Sequence, residues 1–242
     1  MAGHSAWKNI KHRKAAVDAK RGRIWSKLSR AVIVAAKQGG GDIRFNATLR
    51  LAVEDAKAAN MPRDTIEKAV KKGSGELGGE EFHAVRYEGY AAGGVAIIAE
   101  ALVANTNKTS AEIRTIFDKN GGNLGVPGSV AFSFNQRAVL LVDAARASSD
   151  RVIEIALEAG AEDVQDLDGG FRVSGPPTAI AALRDAFTGA GVEFESAEVA
   201  WLALAPVEIS ETEGAAIDRL VEALQDHDDV QKVFTSAQVT GS

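Results

Sequence analysis

The chain has 242 residues, of which 45% are hydrophobic and 25% charged, and it contains no cysteine. The absence of cysteine excludes disulfides and thiolate chemistry, and no apolar run is long enough to cross a bilayer. The composition is typical of a cytoplasmic globular protein with two or three domains.

The formal net charge of -5 conceals a strong asymmetry along the chain. Residues 1–72 carry 17 Lys and Arg against 6 Asp and Glu, whereas residues 73–242 carry 11 against 27. This split favours a module that binds polyanions, joined to a body that repels them. The alternative is that the two oppositely charged parts of the chain attract each other.

Residues 1–22 show no clean apolar period and are predicted to form a basic arm. Lys and Arg neutralise phosphates without special spacing, and an indole among them can stack on an unpaired base. The alternative is a solvated basic tail with a structural tryptophan. The predicted nucleic-acid-binding residues are Trp7, Lys8, Lys11, His12, Arg13, Lys14, Lys20, Arg21, Arg23, Lys27 and Arg30.

Three short helices are predicted after the arm. The first begins at Arg23, carries an apolar stripe and ends at three consecutive glycines from Gly39. The second covers "ATLRLAVEDAKAAN", and the third starts after Pro62 and ends at Gly73. The glycine-rich stretch "GSGELGGEE" that follows has the composition of a linker.

Beyond the linker the pattern becomes mixed. "HAVRYEGY" and "GVAIIAEALVA" predict two strands, the second central because it is apolar on both faces. Thr109 and Glu112 predict a capping box at the start of the next helix. The alternation of Val130, Phe132 and Phe134 predicts a half-buried strand.

Residues 137–205 have the element order βαββαβ of a ferredoxin-like unit. After it, Ser210 and Glu213 predict a second capping box, and "DVQKVF" predicts a last strand. The predicted fold is α+β and multidomain, with a three-helix head and an α+β domain interrupted by the ferredoxin-like domain. The predicted boundaries are residues 1–75 for the arm and head, 82–135 with 206–242 for the discontinuous domain, and 136–205 for the insert.

No catalytic constellation is apparent in the sequence. "GGNLGVPG" lacks the Lys-Ser/Thr ending of a P-loop and is interpreted as a helix end followed by a turn. "DHDD" is interpreted as an acidic turn rather than a cation site. The four histidines have no metal-binding spacing, and there is no nucleophile elbow. We therefore predict a protein that is not an enzyme and has no metal, cofactor or small-molecule substrate.

Several long motifs resemble the YebC/PmpR family of probable transcriptional regulators over nearly the whole chain. They are "MAGHSAWKNIKHRKAAVDAKRGRIW", "AANMPRDTIEKAVKKGSGE", "YEGYAAGGVAIIAEAL", "GGNLGVPGSVAFSF", "ESAEVAW" and "DDVQKVF". The chain departs from the family pattern at Ala6, where Lys is usual, and over residues 42–46.

The resemblance implies three domains, a cytoplasmic location and DNA binding in the regulation of transcription. Mitochondrial members of that family act as translational activators, and bacterial ones have been linked to stalled ribosomes. The expected function is therefore a nucleic-acid-binding regulator of gene expression, with DNA, or rRNA in the ribosome, as its partner and no membrane contact. The alternative is a translation factor that associates with RNA or the ribosome.

Overall fold

The computed structural model describes residues 21–78, 81–167 and 169–239, with only the backbone at residues 21–23. Within these ranges, none of the helices combines the length and the apolar character that a membrane span requires. The elements in chain order are α1 (Arg21–Gly39), α2 (Ala47–Ala58), α3 (Arg63–Gly73), β1 (His83–Tyr90), β2 (Ala96–Val103), α4 (Thr106–Lys119), β3 (Asn123–Leu124), β4 (Phe134–Asp143), α5 (Ser149–Glu158), β5 (Asp163–Leu167), β6 (Gly170–Gly175), α6 (Ile180–Gly189), β7 (Ser196–Ala203), β8 (Val207–Ile209), α7 (Glu211–Gln225), β9 (Val230–Thr235) and β10 (Ala237–Val239).

Helices α1, α2 and α3 form the predicted head around a small apolar core. The periodic apolar positions of each helix meet there, because residues three and four apart share one helix face. The fully or nearly fully buried members of this core are Val32, Ala35, Ala36, Leu49, Val53, Ala56, Met61, Ile66 and Ala69.

Asn46 connects the end of α1 to the start of α2. Its side-chain oxygen accepts the Leu49 backbone N–H at 3.0 Å and so caps α2. Its side-chain nitrogen donates to the carbonyl oxygens of Ala35 and Gly40, both at 2.8 Å. The buried amide therefore satisfies backbone groups of two helices at once.

The first sheet has the strand order β3-β1-β2-β9 and is antiparallel throughout. Helices α4 and α7 cover one of its faces, where Ile113, Phe117, Ile217, Leu220 and Leu224 are buried. Strand β9 comes from the end of the chain, so this unit is assembled from segments on both sides of the insert. Strands β8 and β10 form a separate parallel pair beside it.

The second sheet has the strand order β5-β6-β4-β7, again antiparallel, with α5 and α6 on one face. Its four strands and two helices follow each other as βαββαβ, which confirms the predicted ferredoxin-like unit. Ala138, Leu140 and Val142 of β4 face the helices, whereas Val139 and Leu141 belong to a different apolar cluster on the other face.

The faces of the two sheets that point away from the helices meet in small apolar clusters. Phe234 of β9 contacts both clusters, and Ile98 of β2 is buried in one of them. The Trp201 indole N–H donates to the Glu100 carboxylate at 2.8 Å across this contact. Strands β2 and β4 are apolar on both faces because helices cover one side and the opposing sheet covers the other.

Two sequence predictions are wrong at the level of single elements. Helix α4 begins a turn before Thr109, and its N-cap is Asn105 instead. The predicted strand over residues 130–134 is a 3₁₀ turn at Ala131–Ser133, where the Phe132 side chain is 74% exposed. The short strands β3 and β10 were not predicted, since two or three residues carry no periodicity.

Candidate nucleic-acid interface

A groove of about 740 Å³ runs between helices α1 and α3 of the head. Because its lining residues recur every three or four positions, each helix presents one face to it. The lining residues are Trp25, Ser26, Ser29, Arg30 and Ile33 from α1, Thr65, Lys68, Ala69 and Lys72 from α3, and Phe82 from the segment before β1.

The groove is cationic. Lys68 and Lys72 are one turn apart on α3 and both are exposed. Neither lysine forms an ion pair with any residue of the described ranges, and the same holds for their neighbour Lys71. Three exposed ammonium groups therefore lie along α3 beside the groove, and such a cluster of cations attracts phosphate oxygens at ordinary ionic strength.

Aromatic rings border the same groove. The half-buried Trp25 donates its indole N–H to the Ala59 carbonyl oxygen at 3.0 Å, which fixes the ring in place. The Arg30 guanidinium lies 5.5 Å from the centre of the Phe82 ring. Cations, hydroxyls and aromatic rings in one groove are the side-chain types that contact the backbone and bases of polynucleotides.

The close approach of α1 and α3 depends on Gly73. A Cβ atom at this position would lie 2.3 Å from the Ile33 carbonyl oxygen and 2.6 Å from the Ala36 Cβ. The glycine that was predicted to end α3 therefore also lets the two groove helices pack together.

The structure places two of the predicted binding residues against the body. Lys27 donates from Nζ to the Gln225 carbonyl oxygen at 2.5 Å. Arg30 donates to the Asp228 carbonyl oxygen and pairs with the Asp229 carboxylate at 3.4 Å. The other predicted residues lie outside the described side chains: Trp7, Lys8, Lys11, His12, Arg13, Lys14, Lys20, Arg21 and Arg23.

The "DHDD" segment is an acidic turn between α7 and β9. The His227 Nδ1 accepts the Asp229 backbone N–H at 3.1 Å, so the ring proton is on Nε2, which donates to Glu112 at 3.1 Å. The Thr109 hydroxyl donates to the Asp229 carboxylate at 2.6 Å. In the described ranges no group of three or more acidic or histidine side chains is arranged to hold a metal ion.

The glycine-rich loop at residues 121–131, which contains "GGNLGVPG", encloses a carboxylate of the protein itself. The buried Glu88 side chain accepts the backbone N–H groups of Val130 and Ala131, each at 2.9 Å, and the Arg86 Nε at 2.8 Å. Burial by itself raises the pKa of Glu88, but these donors and the Gly128 N–H outweigh it and lower the pKa. In the described structure, these loop N–H groups donate to Glu88 rather than to a phosphate.

Sequence reasoning did not single out the groove residues of α3. Lys68 and Lys72 have the i, i+4 spacing of a shared face, which is visible in "IEKAVKK". What the sequence lacks is the position of α1 beside that face. The half-buried Trp25 lies at the edge of the head core and also lines the groove.

Comparison with known proteins identifies the family. Residues 5–76 match the family profile described as the TACO1/YebC protein N-terminal domain, and residues 82–237 match the TACO1/YebC second and third domain. The chain belongs to the TACO1/YebC family. The resemblance seen in the sequence motifs is thereby confirmed.

Relatives in the TACO1/YebC family align over almost their full length. The probable transcriptional regulatory protein of Rhodopirellula baltica is 48% identical over 238 residues, which cover 98% of this chain and 96% of the relative. That of Persephonella marina is 46% identical over 242 residues, covering 99% and 97%. The crystal structure of a conserved hypothetical protein from Aquifex aeolicus has a TM-score of 0.85 and 41% identity, covering 93% of both chains.

Proposed function

We propose that this TACO1/YebC protein is a non-enzymatic, nucleic-acid-binding regulator of gene expression that acts in the cytoplasm. The observation that carries the proposal is the α1–α3 groove, in which the exposed ammonium groups of Lys68 and Lys72 lie beside Trp25 and Phe82. The names of the curated relatives support a role in regulating transcription.

The charge distribution supports the same proposal. Residues 1–72 carry a balance of +11, whereas residues 73–242 carry -16. A polyanion is therefore attracted to the head and repelled by the rest of the protein, which orients it toward the groove. The basic residues at positions 8–14 add further cations to the same part of the chain.

The groove is suited to contacts with the sugar-phosphate backbone rather than to reading bases. Lysine ammonium groups and serine and threonine hydroxyls bind phosphate oxygens whatever the sequence, whereas base reading requires side chains seated against base edges. We expect affinity to depend strongly on salt and only weakly on base sequence. Lys68 and Lys72 act as phosphate ligands, and Trp25 and Phe82 provide surfaces for a base or a sugar.

The test is a titration of a DNA duplex and of a structured RNA at several salt concentrations. The double variant Lys68→Gln/Lys72→Gln is compared with Lys119→Gln, which removes one exposed charge from α4 of the body. For a DNA duplex, the logarithm of the binding constant falls with the logarithm of the salt concentration, and each lost phosphate contact makes this slope about 0.9 less steep. The loss of one contact also weakens binding about tenfold near 0.1 M salt.

We expect the double variant to lose about two contacts and the control variant none. Tighter binding of the DNA duplex favours the transcriptional role, and tighter binding of the RNA favours the translational one. If the double variant still binds and the salt dependence of its binding is unchanged, the groove is not part of the interface. Absence of binding by the wild-type protein to both polymers would overturn the proposed function.

A further inference from the structure

The C-terminal end of α7 is an acceptor site for cations of the head. The last turn of α7 contains no basic residue. The negative end of its dipole is therefore stabilised by cations from elsewhere in the protein. Lys27 of α1 donates to the carbonyl oxygen of Gln225, the last residue of α7, and Arg30 donates to the carbonyl oxygen of Asp228 in the turn that follows.

The acidic turn that follows α7 is held in a fixed shape. Its Asp229 carboxylate receives the Thr109 hydroxyl at one oxygen and faces the Arg30 guanidinium with the other, at 3.4 Å. The Asp229 backbone N–H is bound by His227, which is itself anchored to Glu112. A carboxylate oxygen and two carbonyl oxygens are thus presented to an ammonium and a guanidinium group.

These oxygens resemble the environment that a phosphate group offers to the same cations. A phosphate in the groove and the acidic turn would compete for Arg30, because this residue borders both the α1–α3 groove and the turn. A guanidinium that pairs with a phosphate in the groove gives up some or all of its contact with Asp229. Lys27 lies one turn away on the same side of α1.

We propose that the acidic turn at residues 226–229 competes with nucleic acid for the cations Lys27 and Arg30. The turn holds α1 against α7 until a polyanion displaces it. This inference rests on the proposed function of the groove. A second contact between head and body, from Arg184 of α6 to Asp55 of α2 at 3.0 Å, does not involve the groove. It serves as the pivot when α1 separates from α7.

The competition has a thermodynamic consequence that is open to measurement. If nucleic acid must displace the turn from α1, a substitution that weakens the contact between the turn and α1 raises the affinity for nucleic acid by the same factor. Asp229→Asn removes the charge opposite Arg30 and leaves an oxygen that still accepts the Thr109 hydroxyl. We expect it to bind a DNA duplex several-fold more tightly than the wild-type protein.

Two further variants separate competition from a change in net charge. Asp118→Asn removes an exposed charge from α4 at a position without an ion pair in the described ranges, and we expect little change in affinity. Thr109→Val keeps every charge but releases the Asp229 carboxylate from its anchor, and we expect affinity to rise. It also controls for an Asp229→Asn chain that fails to fold.

The conformational half of the proposal is tested by distances between spin labels. The chain has no cysteine, so the pairs Gln38→Cys/Glu222→Cys and Lys57→Cys/Asp185→Cys report separately on α1–α7 and α2–α6. Saturation with the duplex is expected to lengthen the first distance and leave the second unchanged.

The outcomes distinguish failure of the competition alone from failure of the proposed function. Binding by the wild-type protein, with no gain in affinity from Asp229→Asn or Thr109→Val and an unchanged α1–α7 distance, overturns the competition while leaving the proposed function intact. Absence of any binding by the wild-type protein overturns the proposed function and the competition together.

Discussion

The carboxylate of Glu88 accepts the backbone N–H of Val130 at 2.9 Å, and this hydrogen bond attaches β1 to the loop that leads into the second sheet. Its other partners are the backbone N–H groups of Gly128 and Ala131 and the side chain of Arg86. Because Arg86 lies 5.0 Å from the Trp201 ring centre, one buried carboxylate connects β1, the glycine-rich loop and β7.

Replacing Glu88 is expected to destabilise the body. In Glu88→Gln the amide NH₂ can face backbone N–H donors, and hydrogen bonds to a charged acceptor are lost. We expect the free energy of unfolding to fall by about 3 kcal/mol, measured by urea denaturation. Glu158→Gln, which changes an exposed residue of α5, serves as the control and should change it little. A loss equal to that of the control would show that the buried carboxylate is not a stabilising connection.

The lowered pKa of Glu88 predicts an acid-dependent loss of stability. A group whose pKa is lower in the folded than in the unfolded protein stabilises the fold fully above its unfolded pKa. This contribution is lost as the pH falls below the ordinary glutamate value of 4.5 toward the folded pKa. Denaturation midpoints of the wild-type protein and Glu88→Gln should converge over that range. Parallel curves would contradict the assignment.

Gly73→Ala is expected to disturb the head. The added methyl would lie 2.3 Å from the Ile33 carbonyl oxygen, which is closer than real contacts allow, so α1 and α3 must move apart. We expect a loss of about 2 kcal/mol in stability and weaker binding of nucleic acid, because the groove is distorted. The control is Gly78→Ala, where a Cβ meets nothing within 4 Å. Equal unfolding midpoints for the two variants would rule out the close helix contact.

Local patterns in the sequence were sufficient for most of the fold. The capping box of Ser210 and Glu213 is present as predicted, and β1 covers the residues "HAVRYEGY". Both are local features, since a cap and an alternating strand are encoded within a few residues. The continuous apolar run of β2 also predicted its central position correctly.

The failures are cases in which a distant residue decides the local structure. The alternation from Val130 to Phe134 is that of a strand, but the chain turns there because its N–H groups bind Glu88, far away in the sequence. Thr109 and Glu112 have the spacing of a capping box, yet the Thr109 hydroxyl donates to the Asp229 carboxylate instead. Rules based on local sequence patterns do not include contacts between residues that are distant in the sequence.

Only the cationic character of the candidate site, not its geometry, was predictable from the sequence. The excess of Lys and Arg in residues 1–72 pointed to the part of the chain that contains most of the candidate groove. The sequence did not reveal that α1 and α3 form a groove, or that Lys27 and Arg30 contact the end of α7. Both depend on how helices pack, which side-chain spacing alone does not determine.

The location of the interface is tested most directly by photo-crosslinking. A photoreactive amino acid is placed at Thr65, which lines the α1–α3 groove, or at Ser149, which is exposed at the start of α5 in the ferredoxin-like unit. With bound DNA duplex or structured RNA, the proposed interface predicts a covalent adduct from position 65 and none from position 149. An adduct from position 149 alone, with nucleic acid bound, would contradict it.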